Sequence, residues 1–190
     1  MARRKVVLHY FGPAIAVISI TAFGLWFGVE VSENDLAQGL ISAYGYIGIF
    51  LFAIVSGFNL AFPVPAITFL PAFQAAGLNI PFAVILIIAG MSIGDLGGYL
   101  IGKTGRLILS PQDKHIATDL EKIKEKYRIG PLVALFLFAA FIPVPNELLV
   151  VPLSFLGYRL SQIFFVTLAG NAVFNALAAL TILRIFRIAT

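Results

Sequence analysis

Long apolar runs with very little charge set the strongest limit on what this chain can fold into. Hydrophobic residues make up 60% of the sequence and charged residues only 12%, whereas soluble domains carry about 25% charged residues. No soluble core could enclose so much apolar surface, so the pattern predicts an all-α integral membrane protein of roughly four to six membrane segments. The apolar runs cover residues 7–28, 44–62, 66–78, 82–102, 129–142, 147–158 and 162–183.

The charged residues cluster at the ends of these runs. Arg3, Arg4 and Lys5 precede the first run, and residues 103–128 contain seven basic and four acidic residues. Cytoplasmic segments of membrane proteins carry such a basic excess. We therefore expect a cytoplasmic N-terminus in a protein of the cell (plasma) membrane. Basic and aromatic residues are not interleaved, which argues against nucleic acid as a partner.

The runs predict a single membrane domain over residues 1–190. Residues 7–28 are too long for the apolar part of a signal peptide, and no cleavage site of small residues precedes Glu30, so they predict an N-terminal transmembrane helix. Residues 103–128 predict an amphipathic linker at the membrane interface. The segment Ser110-Pro111-Gln112-Asp113 has the composition of the start of its helix.

The chain contains an internal repeat. Pro63-Val64-Pro65 matches Pro143-Val144-Pro145, and the same shift of eighty residues places Gly77 on Gly157 and Asp95 on Asn175. Residues 44–102 and 129–183 are the predicted repeats. Two similar halves around a site at the membrane midplane are typical of transporters.

The proline pairs interrupt the helices within each repeat. Proline removes a backbone N–H and clashes with the preceding turn, and the flanking apolar runs are short for a full crossing. We expect re-entrant helical hairpins at residues 48–78 and 131–158, each followed by a spanning helix, with the halves inverted. The hairpin tips would be Pro63, Pro65, Pro143 and Pro145. The alternative is that the prolines only kink spanning helices.

A row of glycines marks the helix expected at residues 82–102. Gly90, Gly94, Gly98 and Gly102 are four residues apart and share one face, which indicates close packing against another helix in lipid.

A few polar residues within the apolar runs are candidates for a site. A carboxylate within a membrane helix is costly and usually faces a cavity or a partner, so Asp95 and Glu147 are candidates for proton coupling or for binding a cation or a polar headgroup. A structural hydrogen bond is the alternative for each. Asn146, Asn171 and Asn175 would add neutral polar contacts.

Arg159 directly follows the second expected hairpin. Its planar guanidinium could bind a phosphate, or it could anchor the helix at the interface. The sequence has no nucleophile beside a base, no phosphate-binding loop and no metal-ligand spacing. We therefore expect no enzyme activity, no cofactor and no metal.

The segment from Gly90 to Arg106, with Gly94-Asp95, Gly98-Tyr99 and Gly102-Lys103 at its centre, resembles the G-D-x-x-G-Y-x-I-G-[KR]-x-G motif of the DedA family, also called the VTT or SNARE-associated membrane domain. The resemblance extends over about residues 45–180. It implies opposed re-entrant hairpins and translocation of polyprenyl-phosphate or phospholipid, often with proton coupling.

The second hairpin departs from the family pattern. Phe141-Ile142-Pro143 matches the core of the second motif, but Ala140 and Asn146-Glu147 stand where the family has arginines. The chain therefore resembles a divergent member.

The expected function is DedA-like transport or scrambling of lipids, with Glu147, Asp95, Arg159, Asn146 and Asn175 as the polar lining. The alternatives are an ion- or proton-coupled transporter of small solutes and a non-transporting membrane scaffold. Membrane lipids are the expected partners, and a proton or cation and a second copy of the chain remain open as further ones.

Overall fold

The protein is all-helical over the residues that its structure, a computed structural model, describes. These are residues 19, 22–58, 64–108, 118, 122 and 124–189. The helices described over longer ranges are α1 at residues 22–33, α2 at Asp35–Gly57, α3 at Leu70–Ala75, α4 at Ile80–Leu107, α5 at Gly130–Phe141, α6 at Glu147–Phe155 and α7 at Leu160–Ala189. Residues 118, 122 and 124–126 are helical as well. A 3₁₀ turn at Ala66–Phe69 leads into α3.

Three of the described helices are long and apolar enough to cross a membrane. They are α2, α4 and residues Leu160–Ile185 of α7. This confirms the prediction of an all-α membrane protein. The expected N-terminal helix at 7–28 is described only in part, and α1 continues past it to residue 33. Pro63 and the expected helix start at Ser110–Asp113 lie outside the described residues.

Helix α2 begins well before the apolar run that predicted it. Asn34 caps the helix, because its Oδ1 accepts a hydrogen bond of 2.9 Å from the N–H of Ala37. At Gly45 the backbone leaves the helical conformation, with φ 49° and ψ −133°, a region that residues with a Cβ rarely adopt. The helix is therefore bent there, and residues 46–57 form its continuous second part.

The glycine face of α4 packs tightly against two helices, which confirms the packing role that its spacing predicts. A Cβ at Gly90 would lie 2.6 Å from a side chain of α2, and one at Gly94 would meet the backbone of α2. A Cβ at Gly98 would lie 2.8 Å from Cγ of Glu147, and one at Gly102 would meet the backbone of α6. Only a hydrogen atom fits at these contacts, so α4 approaches both helices closely.

Helix α2 runs parallel to α4. As α4 advances from Gly90 to Gly94, the residue that it contacts in α2 advances from Ala53 to Gly57. The end of α2 therefore lies level with the middle of α4.

Helix α6 is also parallel to α4, but it lies beside the second half of α4. Its first residue, Glu147, packs against Gly98, and its last, Phe155, lies beside Gly105. The non-helical segment 142–146, which precedes α6, consequently lies level with the middle of α4 as well.

Helix α7 runs antiparallel to α4. Asn171 of α7 contacts Asp95 of α4, and Asn175, one turn further along α7, contacts Met91, one turn earlier in α4. The two long helices thus cross the core in opposite directions.

The turns that end α3 and α6 share one hydrogen-bond pattern. Gly77 and Gly157 have φ values of 73° and 87°. The N–H of the residue after each glycine donates to the carbonyl of Phe73 in the first turn and of Leu153 in the second, at 3.1 Å in both. This is the Schellman arrangement, which satisfies the last carbonyls of a helix internally.

Among the described residues, the proline-containing segments 64–65 and 142–146 are not helical. Pro65, Pro143 and Pro145 lie outside the helices. Two later prolines do not extend the breaks, because Pro71 lies in the first turn of α3 and Pro152 lies within α6. A proline in a first turn sacrifices no helical hydrogen bond, since the N–H groups there have no partner within the helix.

The close approach along α4 can be tested by adding one methyl group. We expect Gly94→Ala to lower the melting temperature of the protein in detergent, because its Cβ would meet the backbone of α2. The matched control is Gly39→Ala, also within a helix, where a Cβ meets nothing within 4 Å. There the higher helix propensity of alanine, worth about 1 kcal/mol, predicts an unchanged or higher melting temperature. Equal effects of both substitutions would contradict the packing role.

Candidate functional site

Asp95 lies at the centre of a buried polar cluster. It is 1% exposed and sits between two glycines of the packing face, where α4 is closest to its neighbours. Asn146 Nδ2 donates to Asp95 Oδ1 at 3.1 Å, and Asn171 Nδ2 donates to Asp95 Oδ2 at 2.8 Å. These bonds join α4 to α7 and to the segment before α6. The cluster thus ties three parts of the chain together at the middle of α4.

Further polar groups extend the cluster along α4 and α7. Asn171 Nδ2 also lies 3.1 Å from Ser92 Oγ. Asn175 Nδ2 donates to the backbone carbonyl of Asn171 at 2.8 Å and lies 3.6 Å from the sulfur of Met91. Asn175 Oδ1 is buried and has no hydrogen-bond partner among the described residues. That oxygen is an acceptor available to a donor that enters the cluster.

Glu147 brings a second carboxyl group into the same part of the core. It is 2% exposed, follows Asn146 directly and starts α6 against Gly98. The first turn of a helix favours a carboxylate, because its free N–H groups carry partial positive charge. Asp95 and Glu147 therefore lie on facing helices, one turn apart along α4.

The first break, between α2 and the 3₁₀ turn, is organised by a serine. Ser56 Oγ donates to the carbonyl of Val64 and accepts a hydrogen bond from the N–H of Ala66, at 2.8 Å in each case. Thr68 Oγ1 donates to the carbonyl of Pro65 at 2.8 Å. These side chains supply hydrogen bonds to backbone groups at residues 64–66, which an interrupted helix lacks.

The structure does not place Arg159 with the other predicted residues. Its side chain is exposed, and it lies with Lys124, Arg128, Tyr158 and Gln162 around a cleft at the start of α7. Asn171 of the buried cluster is twelve residues further along the same helix, roughly 18 Å away at 1.5 Å per residue. Asp95, Glu147, Asn146 and Asn175 come together in the core.

Three residues that organise the core are not among the predicted lining residues. The sequence suggests only neutral contacts for Asn171, yet it donates the shortest hydrogen bond to Asp95. Ser92 precedes Asp95 by three residues, and Asn171 precedes Asn175 by four. These spacings place each pair on one helix face, so the sequence does contain a pattern that indicates Ser92 and Asn171 as members of the cluster. No helical spacing indicates Ser56, because its hydrogen-bond partners, Val64 and Ala66, lie on the other side of the break.

The cluster can hold a charge or a proton without a fixed countercharge. Among the described residues, the hydrogen-bond partners of Asp95 are the amides of Asn146 and Asn171 and the hydroxyl of Thr167, all of them neutral groups. Amide donors stabilise a carboxylate, and the amide oxygens can accept from a protonated carboxyl group or ligate a cation. The arrangement is therefore suited to binding or passing on a proton, a cation or a polar headgroup.

Comparison of this chain with family models, with curated proteins and with solved structures finds no match.

The energetic link between Asp95 and Asn171 can be measured by a double-mutant cycle. We expect Asn171→Leu to lower the free energy of unfolding in detergent by about 1–3 kcal/mol, the usual cost of leaving a buried acceptor without its donor. In an Asp95→Leu background the same substitution should cost much less. Thr181→Ala is the control, because Thr181 is exposed and bonds only within its own helix. Additive effects of the first two substitutions would refute the link.

Proposed function

We propose that this chain is a DedA-like membrane transporter that moves or scrambles lipids, with their headgroups passing through the polar cluster in its core. The observation that carries this proposal is the burial of two carboxyl groups. Asp95 lies at the middle of α4, a helix long enough to cross a membrane, and Glu147 lies beside it at the start of α6. An ionisable residue at that depth is costly, and it commonly marks the path of a substrate or a proton.

The helix directions support two inverted repeats of re-entrant hairpins. Helix α2 ends, and α6 begins, level with the middle of α4, and each is joined through a proline-containing break to a neighbouring short helix. Helices α3 and α6 then close in the same turn before α4 and α7, which run in opposite directions. In this proposal the breaks are the hairpin tips, and they meet near the membrane midplane.

The buried cluster would supply the polar surface that a headgroup needs. Asn146, Asn171 and Asn175 offer amide donors and acceptors, including the oxygen of Asn175, which accepts no hydrogen bond from any described residue. The carboxyl groups would bind a cationic part of a headgroup or carry a coupled proton. Because the cluster is closed in this structure, a headgroup enters only after the segment before α6 moves.

The proposal draws further support from the sequence. The Gly90–Arg106 segment resembles the DedA family, in which polyprenyl-phosphate or phospholipid carriers are the cargo. The basic excess at residues 103–128 favours a cytoplasmic N-terminus and the cell membrane. We propose transport rather than catalysis as the activity.

A proton- or ion-coupled transporter of small solutes is the second candidate. It is favoured by the enclosure of Asp95, which is 1% exposed and closed on all sides by α4, α7 and the segment before α6. Scrambling needs a path open to lipid, whereas a small solute can be enclosed.

Lipid movement in proteoliposomes tests the proposal. We expect the purified protein to move a fluorescent phospholipid between leaflets faster than protein-free vesicles do, and Glu147→Gln and Asp95→Asn to bring the rate down towards that background. Both replacements keep the shape of the side chain and remove its charge. The measurement is loss of fluorescence on adding a quencher that cannot cross the membrane.

The control is Glu125→Gln, which removes an exposed carboxylate outside the core and should leave the rate unchanged. Each variant must first show wild-type helicity and elution in size-exclusion chromatography. Wild-type movement no faster than in protein-free vesicles at any pH would refute lipid transport and favour a solute transporter or a scaffold.

A further inference from the structure

A cationic cleft lies at the start of α7, away from the buried cluster. Lys124, Arg128, Tyr158, Arg159 and Gln162 line it, and we refer to it as the boundary cleft. Its volume is about 180 Å³, several times the share of about 30 Å³ that one water takes in the liquid. A tetrahedral phosphate therefore fits within it.

The position of the boundary cleft follows from the ends of two long helices. Arg159 directly precedes the membrane-crossing part of α7, and Arg106 lies one residue before the end of α4. The guanidinium of Arg106 packs against Gly157, two residues from Arg159. The cleft is thus level with the helix ends, where the phosphates of lipid headgroups lie.

Two hydrogen bonds hold the segment around Lys124 against the turn that ends α6. Lys124 Nζ donates to the carbonyl of Gly157 at 2.7 Å and lies 5.9 Å from the centre of the Tyr158 ring. The hydroxyl of Tyr158 donates to the carbonyl of Tyr127 at 2.6 Å. A tyrosine hydroxyl is ordinarily neutral at physiological pH, and burial raises the pKa of the Tyr158 hydroxyl further, so the phenol gives the nearby cations no negative charge.

Only one of the three positively charged side chains that line the cleft has a structural hydrogen bond that accounts for its charge. Lys124 caps the carbonyl end of α6, a position that favours positive charge. Arg128 and Arg159 have no such structural role. Among the described residues, no carboxylate pairs with either side chain, and none of the residues that line the cleft is acidic. In the part of the chain that the structure describes, two guanidinium groups therefore line a shared space that contains no acidic side chain.

We propose that the boundary cleft binds a phosphate group, either of an anionic lipid headgroup or of free phosphate. The planar guanidinium groups of Arg128 and Arg159 match the geometry of phosphate oxygens, and Lys124 adds a point charge already held in place. Gln162 Oε1 accepts from the backbone N–H of Arg159 at 3.1 Å, which fixes the start of α7 at the cleft. Phosphate binding here does not require that the protein moves lipid.

Equilibrium binding to the whole protein in neutral detergent tests this proposal. Native mass spectrometry counts bound phosphatidic acid, with phosphatidylcholine as the zwitterionic reference. We expect phosphatidic acid to bind more tightly, and Arg128→Gln or Arg159→Gln to weaken it about tenfold, which corresponds to the loss of about 1.4 kcal/mol of binding free energy. The affinity of Arg159→Lys for phosphatidic acid should lie between those of Arg159→Gln and wild type, because lysine keeps the positive charge but lacks the planar guanidinium.

The matched control is Lys126→Gln, which removes one exposed positive charge of the same segment from outside the cleft. Its binding should equal that of wild type. If inorganic phosphate displaces phosphatidic acid, the cleft recognises free phosphate as well as headgroups, and if it does not, the ligand is the headgroup in its lipid. Both results support a phosphate site.

Either of two results would overturn it. One is equal weakening by Lys126→Gln and by the arginine variants, which would reduce the effect to net charge. The other is wild-type binding that does not distinguish phosphatidic acid from phosphatidylcholine. Because binding is measured without transport, these results are separate from any failure of lipid movement in proteoliposomes.

Discussion

The arrangement of this protein depends on how closely α4 approaches its neighbours. Gly90 and Gly94 admit α2, and Gly98 and Gly102 admit α6, on one continuous face. In lipid there is little hydrophobic drive between helices, so such contacts must come from van der Waals packing at short range. The same approach places Asp95, between those two pairs, within hydrogen-bond distance of residues far along the chain. The part of the polar cluster that joins α4 to the segment before α6 therefore depends on the glycine face.

The cluster also explains how a broken backbone and a carboxylate can lie at the same depth. Burying either in hydrocarbon is unfavourable. The cost is lower when both lie together, because polar groups at the break can donate to the carboxylate. The segment before α6 contributes Asn146, whose amide donates to Asp95, and the start of α6 gives Glu147 the positive end of a helix. Ser56 has the corresponding task at the first break, where it bonds to two backbone groups.

Local pattern predicted the helices and the packing face, but it could not predict the assembled site. The apolar runs indicated α4 and α7, and the glycine spacing indicated close packing of α4, because both signals repeat along one helix. The bond between Asn146 and Asp95 joins residues fifty-one positions apart and depends on where α6 lies along α4. The distance of Arg159 from the cluster could not be predicted for the same reason. It depends on the direction of α7 and on which residues of α7 lie beside Asp95. The sequence does not indicate the bend at Gly45, because a lone glycine in an apolar run is equally compatible with an unbroken helix.

The two matching turns at Gly77 and Gly157 differ in how well they tolerate substitution of the glycine. Around Gly77 there is open space for a methyl group, so only its backbone angle resists substitution. Gly157 has the same kind of angle, but its surface is covered by the guanidinium of Arg106 and its carbonyl is held by Lys124. The Gly77 turn thus reverses the chain, while the Gly157 turn also brings the positive charges of Arg106 and Lys124 together. Two turns of the same backbone geometry therefore differ in their surroundings, because a side chain added at Gly157 would displace a cation and one added at Gly77 would displace nothing.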